Sequence, residues 1–299
     1  MRIFVTGATG WIGTAVTGEL LAAGHDVVGL ARSDASAEKL AARGATPVRG
    51  TLDDLGTIKD AAADSDAVIH LGFVHDFDRF ADSGLVERSV VQTVADTLAG
   101  SDRPFLFASG VAGLTTGRVA TEEDPSPAVG PDSPRGGSEN LALSYADQGV
   151  RSVALRFAAS VHGIGDHGFV AELARVARER GFAGYIGDGA NRWPAVHRSD
   201  AARLVAIALD RAPAGGVVHA VGEEGVAIRD VAEALGQSLE LPTRAVAPED
   251  AAAHFGWIAR FLALDAPTSS ALTRERYGWA PTGPTLVEDI AAGGYLPGA

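Results

Sequence analysis

The sequence predicts an α/β fold, a doubly wound parallel sheet followed by a smaller, mostly helical C-terminal lobe. Three observations carry this. Over the first 110 residues, short β-branched runs alternate with helical patterns, the signature of strand–helix–strand units on a parallel sheet. A glycine-rich turn joins the first strand to the first helix. Beyond Gly165 the alternation gives way to helical patterns with only brief strands between them.

Taken in order, strands are expected at Arg2–Thr6, Asp26–Ala31, Thr46–Arg49, Ala67–Leu71 and Pro104–Ala108. Gly24 and Gly44 follow the first two helical patterns, where a helix ends most easily in a left-handed residue. Ser33 and Asp34 suit the start of the second helix because their oxygens accept its free N–H groups. The crossovers are short and regular, so a right-handed doubly wound sheet follows. Between Leu114 and Gly137 the chain turns polar and carries Pro125, Pro127, Pro131 and Pro134, which reads as a long loop over a site. A helix is expected at Ser138–Gln148 and a strand at Ser152–Phe157. Later helices fall at Phe169–Arg180, Ser199–Asp210, Ala227–Leu239, Pro248–Arg260 and Ser269–Tyr277, with a strand at Gly216–Val221.

With 299 residues, 46% of them hydrophobic, the chain can bury a large core. It has no cysteine, which rules out disulfides, thiolate metal sites and thiol catalysis and leaves the cytoplasm as the default compartment. No apolar run reaches about 18 residues, and a strand opens at Arg2 where a signal peptide would place its apolar core. A net charge of −13 repels phosphate backbones and anionic lipid. The expected partner is therefore a small-molecule substrate, with no nucleic acid or membrane, and the chain acts as a monomer or homodimer.

The turn Thr6-Gly7-Ala8-Thr9-Gly10-Trp11-Ile12-Gly13 is the arrangement a pyrophosphate requires. One glycine makes the tight turn, one lets the backbone approach the phosphates, and one lets the helix pack on its strand. The fold is thus of the Rossmann type, with residues 1–160 a dinucleotide-binding domain and 161–299 a substrate lobe, some of whose segments return to the first domain. At the end of the second strand an acid would select NAD(H), but the residues there are Ala31-Arg32-Ser33. Arg32 can pair with a 2′-phosphate and Ser33 can donate to it, so NADP(H) is expected over NAD(H).

At these residues the chain resembles the extended short-chain dehydrogenase/reductase superfamily, the NAD(P)-dependent epimerases and dehydratases among them. Asp66-Ala67-Val68-Ile69-His70-Leu71, Phe105-Leu106-Phe107-Ala108-Ser109, Leu155-Arg156-Phe157 through Val161-His162-Gly163, Gly187-Asp188-Gly189 through Val196-His197-Arg198-Ser199-Asp200, and Tyr277-Gly278-Trp279-Ala280-Pro281 carry the resemblance onward. It implies cofactor contacts at Gly7, Thr9, Gly10, Trp11, Ile12, Gly13, Arg32 and Ser33. It also implies adenine contacts near Thr51 and Leu52, and ribose or nicotinamide contacts near Leu71, Gly72 and Phe73. Leu52, after Gly50-Thr51, stands where the family usually has an acid, so the adenine amine would be held differently.

The departure lies in the catalytic set. Members of the superfamily carry a serine or threonine and a tyrosine with a lysine four residues later, the tyrosine serving as acid or base. Matching the fifth strand puts Gly110 at the serine, with Ser109 one residue before. Aligning Glu139 with the family's acidic helix residue puts Pro131 at the tyrosine and Arg135 at the lysine. Aligning Ser133-Pro134 puts Arg135 at the tyrosine and Glu139 at the lysine. Neither alignment supplies a tyrosine, and Tyr145 lies about three helical turns from Arg135.

Ser109, Arg135 and Glu139 are therefore the candidate catalytic residues, Arg135 as a fixed cation and Glu139 as a base. The competing reading pairs Arg135 with Glu139 as an ion pair four residues apart at a helix start. His75, His162, Tyr185, Trp193 and His197 are the candidate substrate contacts. His162, Asp166 and His167 could mimic a metal cluster, but their loop setting makes that the weaker reading, and no metal is expected. The leading expectation is an NADP(H)-dependent oxidoreductase acting on a small organic carbonyl or alcohol. The alternatives are a cofactor-retaining epimerase or dehydratase and a non-catalytic dinucleotide-binding regulator.

Overall fold

The computed structural model describes residues 1–76 and 79–296. Its strands are β1 Arg2–Thr6, β2 Asp26–Ala31, β3 Thr46–Arg49, β4 Ala67–His70, β5 Pro104–Gly110, β6 Arg151–Phe157, β7 Ser160–His162, β8 Ala183–Ile186, β9 Arg192–His197, β10 Gly216–Ala220, β11 Glu223–Ala227 and β12 Thr243–Val246. The α-helices are α1 Trp11–Ala22, α2 Asp34–Ala41, α3 Leu55–Ala63, α4 Phe80–Leu98, α5 Ser138–Ser144, α6 Phe169–Arg180, α7 Arg198–Arg211, α8 Ile228–Ser238, α9 Ala251–Phe255, α10 Ala259–Leu262, α11 Ala271–Tyr277 and α12 Leu286–Ala291.

Among the described residues a seven-stranded sheet runs in the order β10-β6-β5-β4-β1-β2-β3. The ladders β1–β2, β1–β4, β2–β3 and β4–β5 are parallel. This is the doubly wound Rossmann-type order, with its switch point between β1 and β4, where the carboxyl ends of the strands open a crevice. Strands covered on both faces read as continuous apolar runs, and Ile3-Phe4-Val5, Val68-Ile69 and Phe105-Leu106-Phe107 are buried throughout. Gly24 and Gly44 take left-handed φ after α1 and α2, and the Ser33 side chain caps α2 by accepting from the Ser36 N–H.

The chain divides into two compact units. The first comprises Met1–Ser109, Pro125–Arg156 and Ala202–Val218, the second Gly110–Asp124, Phe157–Ala201 and His219–Ala299. The first unit's core joins Phe4, Val28, Val68, Val90, Val94, Phe105 and Phe107. The second unit's core joins Leu173, Trp193, Leu235, Phe255, Leu262 and Ile290, around sheets of order β11-β9-β7 and β12-β8.

The structure departs from the sequence reading mainly in the second unit. Strands β7, β8, β9, β11 and β12 are among the brief strands whose positions the sequence left open, because they are only three to six residues long. The helix expected over Pro248–Arg260 is broken at Gly256, whose φ of +63° ends α9 before α10 begins. Among the described residues, no helix is long and apolar enough to cross a membrane.

Candidate active site

Everything at the glycine turn follows from close backbone approach. Gly7 has φ +68°, and a Cβ there would lie 2.7 Å from the backbone of Leu71 and Gly72. A Cβ on Gly13 would run into the Gly7 carbonyl, whereas one on Gly10 would meet only the Gly7 oxygen, at 3.1 Å. Gly7 and Gly13 thus serve the fold, while Gly10 is exposed and opens onto space that a side chain would fill. Gly10 is also the N-cap of α1, with no side chain capping the helix and no acid in its first turn. A helix start of this kind fits an anionic pyrophosphate, with Thr9, Trp11 and Ile12 half-buried beside it.

The turn is tied to β4 through Thr6. Its Oγ1 accepts from the Gly72 N–H at 3.1 Å and lies 2.7 Å from His70 Nδ1. Burial, with a smaller contribution from Arg135, pushes the His70 pKa down to about 3, so its imidazole is neutral at physiological pH. At the adenine end Arg32 and Ser33 are exposed. Thr51 donates from both its N–H and its hydroxyl to Asp54 Oδ2, at 2.7 and 2.9 Å, bonds that hold the Asp54 carboxyl below its usual range.

Ser109, Glu139 and Arg156 form one hydrogen-bonded chain at the carboxyl end of β5. The Ser109 hydroxyl donates to Glu139 Oε2 at 2.5 Å. Arg156 donates to the other oxygen, Oε1, from Nε at 3.0 Å and Nη2 at 2.5 Å. Glu139 and Arg156 are 5% and 1% exposed, whereas Ser109 is half-buried. A buried carboxylate thus reaches the surface of the first unit through a single hydroxyl. Glu139 leaves its helix start towards β6, where Arg156 stands within an apolar strand.

Arg135 sits in a different network. It has φ +54°, and Gly136 and Gly137 follow at +59° and +62°, a run of left-handed residues that only glycines adopt without strain. Its guanidinium pairs with the buried Glu87 through Nε at 2.9 Å and through Nη2. Nη2 also donates to the Ala108 carbonyl at 3.0 Å, and the guanidinium carbon lies 4.7 Å from the centroid of the Phe73 ring. Burial pushes the Glu87 carboxyl up, against the opposing pull of Arg135. The ion pair between Arg135 and Glu139 that the four-residue spacing allowed does not form. The left-handed turn carries Arg135 to α4 while α5 carries Glu139 to β6, so each takes a partner of its own. Glu87 and Arg156 were missed from sequence, although a lone arginine inside the apolar run Val153-Ala154-Leu155-Arg156-Phe157 is a signal, since arginine is rarely fully buried unpaired.

The candidate substrate residues divide between the units. His75, in the first, is exposed and makes an edge contact with Phe73 at 5.1 Å. In the second, His162 is buried, with Nδ1 2.5 Å from Asp289 Oδ2 and its ring 5.6 Å from that of His197. Trp193 is packed in the core against Phe169, and Tyr185 lies half-buried under Arg229. Asp200 accepts from the Thr282 and Gly283 N–H groups and, through its carbonyl, from the Trp279 indole, which joins two of the segments that carried the resemblance. Tyr145 is held by Gln92 and Asp96, and Tyr295 donates to Asp166 at 2.8 Å. Among the described residues no cluster of histidine and carboxylates has a geometry that would hold a metal.

Comparison with known proteins agrees with the fold. The uncharacterized protein C2A9.02 of Schizosaccharomyces pombe is 46% identical over 299 residues, covering 99% of this chain and 100% of that one. The 4-hydroxy-2-methyl-3-oxo-4-farnesyl-3,4-dihydroquinoline-1-oxide ketoreductase of Stigmatella aurantiaca is 27% identical over 269 residues, 86% of this chain and 80% of that protein. Among solved structures, the DesIV double mutant, a dTDP-glucose 4,6-dehydratase of Streptomyces venezuelae with NAD and DAU bound, superposes with a TM-score of 0.78 at 22% identity, covering 98% of this chain and 96% of that one. The model of the NAD dependent epimerase/dehydratase family matches residues 3–221, and with most of its length inside that match the chain belongs to this family.

Proposed function

We propose that the protein is an NADP(H)-dependent oxidoreductase acting on a small organic carbonyl or alcohol, with Ser109, Glu139 and Arg135 doing the polar work of the missing tyrosine and lysine. The observation that carries the reading is the Ser109–Glu139 hydrogen bond, with the carboxylate held from its far side by Arg156. The likeness to a ketoreductase over most of both chains supports carbonyl chemistry. Thr9, Gly10, Trp11 and Ile12 would hold the pyrophosphate on the turn that Gly7 and Gly13 shape, Arg32 and Ser33 the 2′-phosphate, Thr51 and Leu52 the adenine, and Leu71, Gly72 and Phe73 the nicotinamide ribose. His75, Tyr185 and His197 are the candidates left for substrate recognition, whereas His162, buried on Asp289, and Trp193, packed in the core against Phe169, support the fold.

When bound, the nicotinamide donates or accepts the hydride. The chain handles the proton. In the oxidative direction the substrate hydroxyl gives its proton to Ser109 Oγ as the serine proton passes to Glu139 Oε2, and reduction runs the same transfers backward. Arg156 keeps the carboxylate oriented between turnovers. Arg135, pinned by Glu87, presents a fixed cation at the ends of β4 and β5, where it polarises a carbonyl oxygen.

The test is turnover of NADPH against a panel of aldehydes, ketones and quinones, run beside UDP-glucose and dTDP-glucose. Net oxidation of NADPH by a carbonyl, lost in Ser109→Ala and Glu139→Gln, is the expected result. Conversion of a sugar nucleotide without net change in cofactor would overturn the reading in favour of an epimerase or dehydratase. Saturable NADPH binding without turnover of any compound would overturn it in favour of a regulatory binder.

A further inference from the structure

At one edge of the large sheet β2 and β3 end together. Ala31, the last residue of β2, is the register partner of Arg49, the last of β3, and the Gly50 N–H donates to the Ala31 carbonyl at 3.1 Å. Paired strands lie about 4.8 Å apart, so the turn Arg32-Ser33-Asp34 and the Arg49 side chain share one corner. There Arg49 Nη2 lies 3.1 Å from Asp34 Oδ1, in a pair whose side chains are 50% and 93% exposed. Ser33 is already engaged, accepting from the Ser36 N–H at 3.2 Å and lying 3.0 Å from the Ser36 hydroxyl.

An ion pair this exposed contributes little to stability. Its position matters more, because the adenosine ribose of a dinucleotide on such a sheet lies at the end of β2, so a 2′ substituent meets this corner. A 2′-phosphate carries more charge than a carboxylate and offers oxygens to two guanidinium groups at once. It can therefore take Arg49 from Asp34. Without a phosphate Arg49 stays paired with Asp34.

We propose that Arg49 is a second ligand of the cofactor's 2′-phosphate, beside Arg32, and that Asp34 competes with the phosphate for Arg49 and so sets the ratio of NADPH to NADH binding. This rests on the cofactor reading above. Asp34 acts twice against the phosphate, by holding Arg49 and by like-charge repulsion, both screened by salt.

The experiment measures binding of 2′,5′-ADP and ADP, and of NADPH and NADH, to the full chain by calorimetry at low and high salt. The wild type and the variants Arg49→Gln, Asp34→Asn and Arg32→Gln are compared after a melting curve shows each folded. Arg49→Gln is expected to weaken 2′,5′-ADP about tenfold, the scale of one charge-assisted contact, and to leave ADP nearly unchanged. Asp34→Asn is expected to tighten 2′,5′-ADP severalfold, by the same reasoning, without helping ADP, and the gain should shrink at high salt. The proposal is overturned if Arg49→Gln leaves the ratio of the two ligands at its wild-type value, or if Asp34→Asn lowers it. A wild-type preference for NADPH that only Arg32→Gln removes would sink this proposal and spare the cofactor reading. A wild type with no preference, in which Asp34→Asn creates one that Arg49→Gln abolishes, would do the reverse.

Discussion

Gly84 of α4 and Gly136 of the turn before α5 touch backbone to backbone: a Cβ on Gly136 would lie 2.5 Å from the Gly84 carbonyl oxygen, and one on Gly84 would lie 2.8 Å from the Gly136 nitrogen. One helical turn on, Glu87 pairs with Arg135 and Arg88 donates to the Gly136 carbonyl at 2.7 Å. Residues 84, 87 and 88 occupy one face of a helix, and that face holds the left-handed turn in place. Replacing a mid-helix glycine by alanine ordinarily stabilises by roughly 0.5–1 kcal/mol. Here Gly84→Ala is expected to destabilise by about 1–3 kcal/mol, the cost of overpacking, as read by urea denaturation. A gain in stability would show that the helix and the turn separate without cost.

The glycine turn allows a paired test. Gly10→Val should abolish NADPH binding while leaving the far-UV circular dichroism close to wild type, because, apart from a 3.1 Å approach to the Gly7 oxygen, its side chain fills the open cradle. Gly13→Ala should lower stability, because its Cβ meets the Gly7 carbonyl. A Gly10→Val protein that still saturates with NADPH at the wild-type concentration would put the phosphate site elsewhere.

Once a substrate is found, Arg135→Ala should lower kcat/KM by roughly a hundredfold or more, the scale lost with one positioned electrostatic group. Arg135→Lys should recover little of it, since an ammonium cannot reproduce the forked contact with Glu87. Tyr145→Phe should matter little to turnover, its hydroxyl being engaged by Gln92 and Asp96. If Tyr185→Phe abolishes turnover and Arg135→Ala is tolerated, the acid belongs to the second unit.

His70 makes stability depend on pH in a defined window. Its folded pKa of about 3 lies below the ordinary value of 6.5, so between those values the unfolded chain binds more protons than the folded one. The contribution of neutral His70 is fully present above pH ~6.5 and is lost as pH falls towards 3, by at most about 1.4 kcal/mol per pH unit for one proton. Denaturation midpoints measured from pH 7 to pH 4 should fall more steeply for the wild type than for His70→Asn. Parallel slopes would show that His70 already titrates normally in the fold.

The elements of the first unit were legible because each repeats one device, an apolar strand closed by a glycine-marked helix, as at Arg2–Thr6 and Gly24. The second unit was less so, since β7 to β9 and β11 are held by partners distant in sequence, such as Val226 opposite Trp193, with no local period to announce them. Ser109, Arg135 and Glu139 could be named from the chain, but not their pairing. Glu87 is 48 residues from Arg135, and only the turn at residues 135–137 decides which acid the guanidinium meets. Gly256 falls inside the helix expected over Pro248–Arg260 and takes a positive φ that ends α9 there.

The ion pair between Arg135 and the buried Glu87 makes position 135 hard to give to a tyrosine. Under the alignment that sets Arg135 at the tyrosine, Arg135→Tyr would keep the φ +54° strain that the arginine already carries. It would also strand the buried Glu87 without its cation. Relaxing the turn to suit the ring would require Gly84, Gly136 and Glu87 to change together. A tyrosine at position 135 would therefore need several replacements at once, since Glu87 has to lose its charge or find another cation.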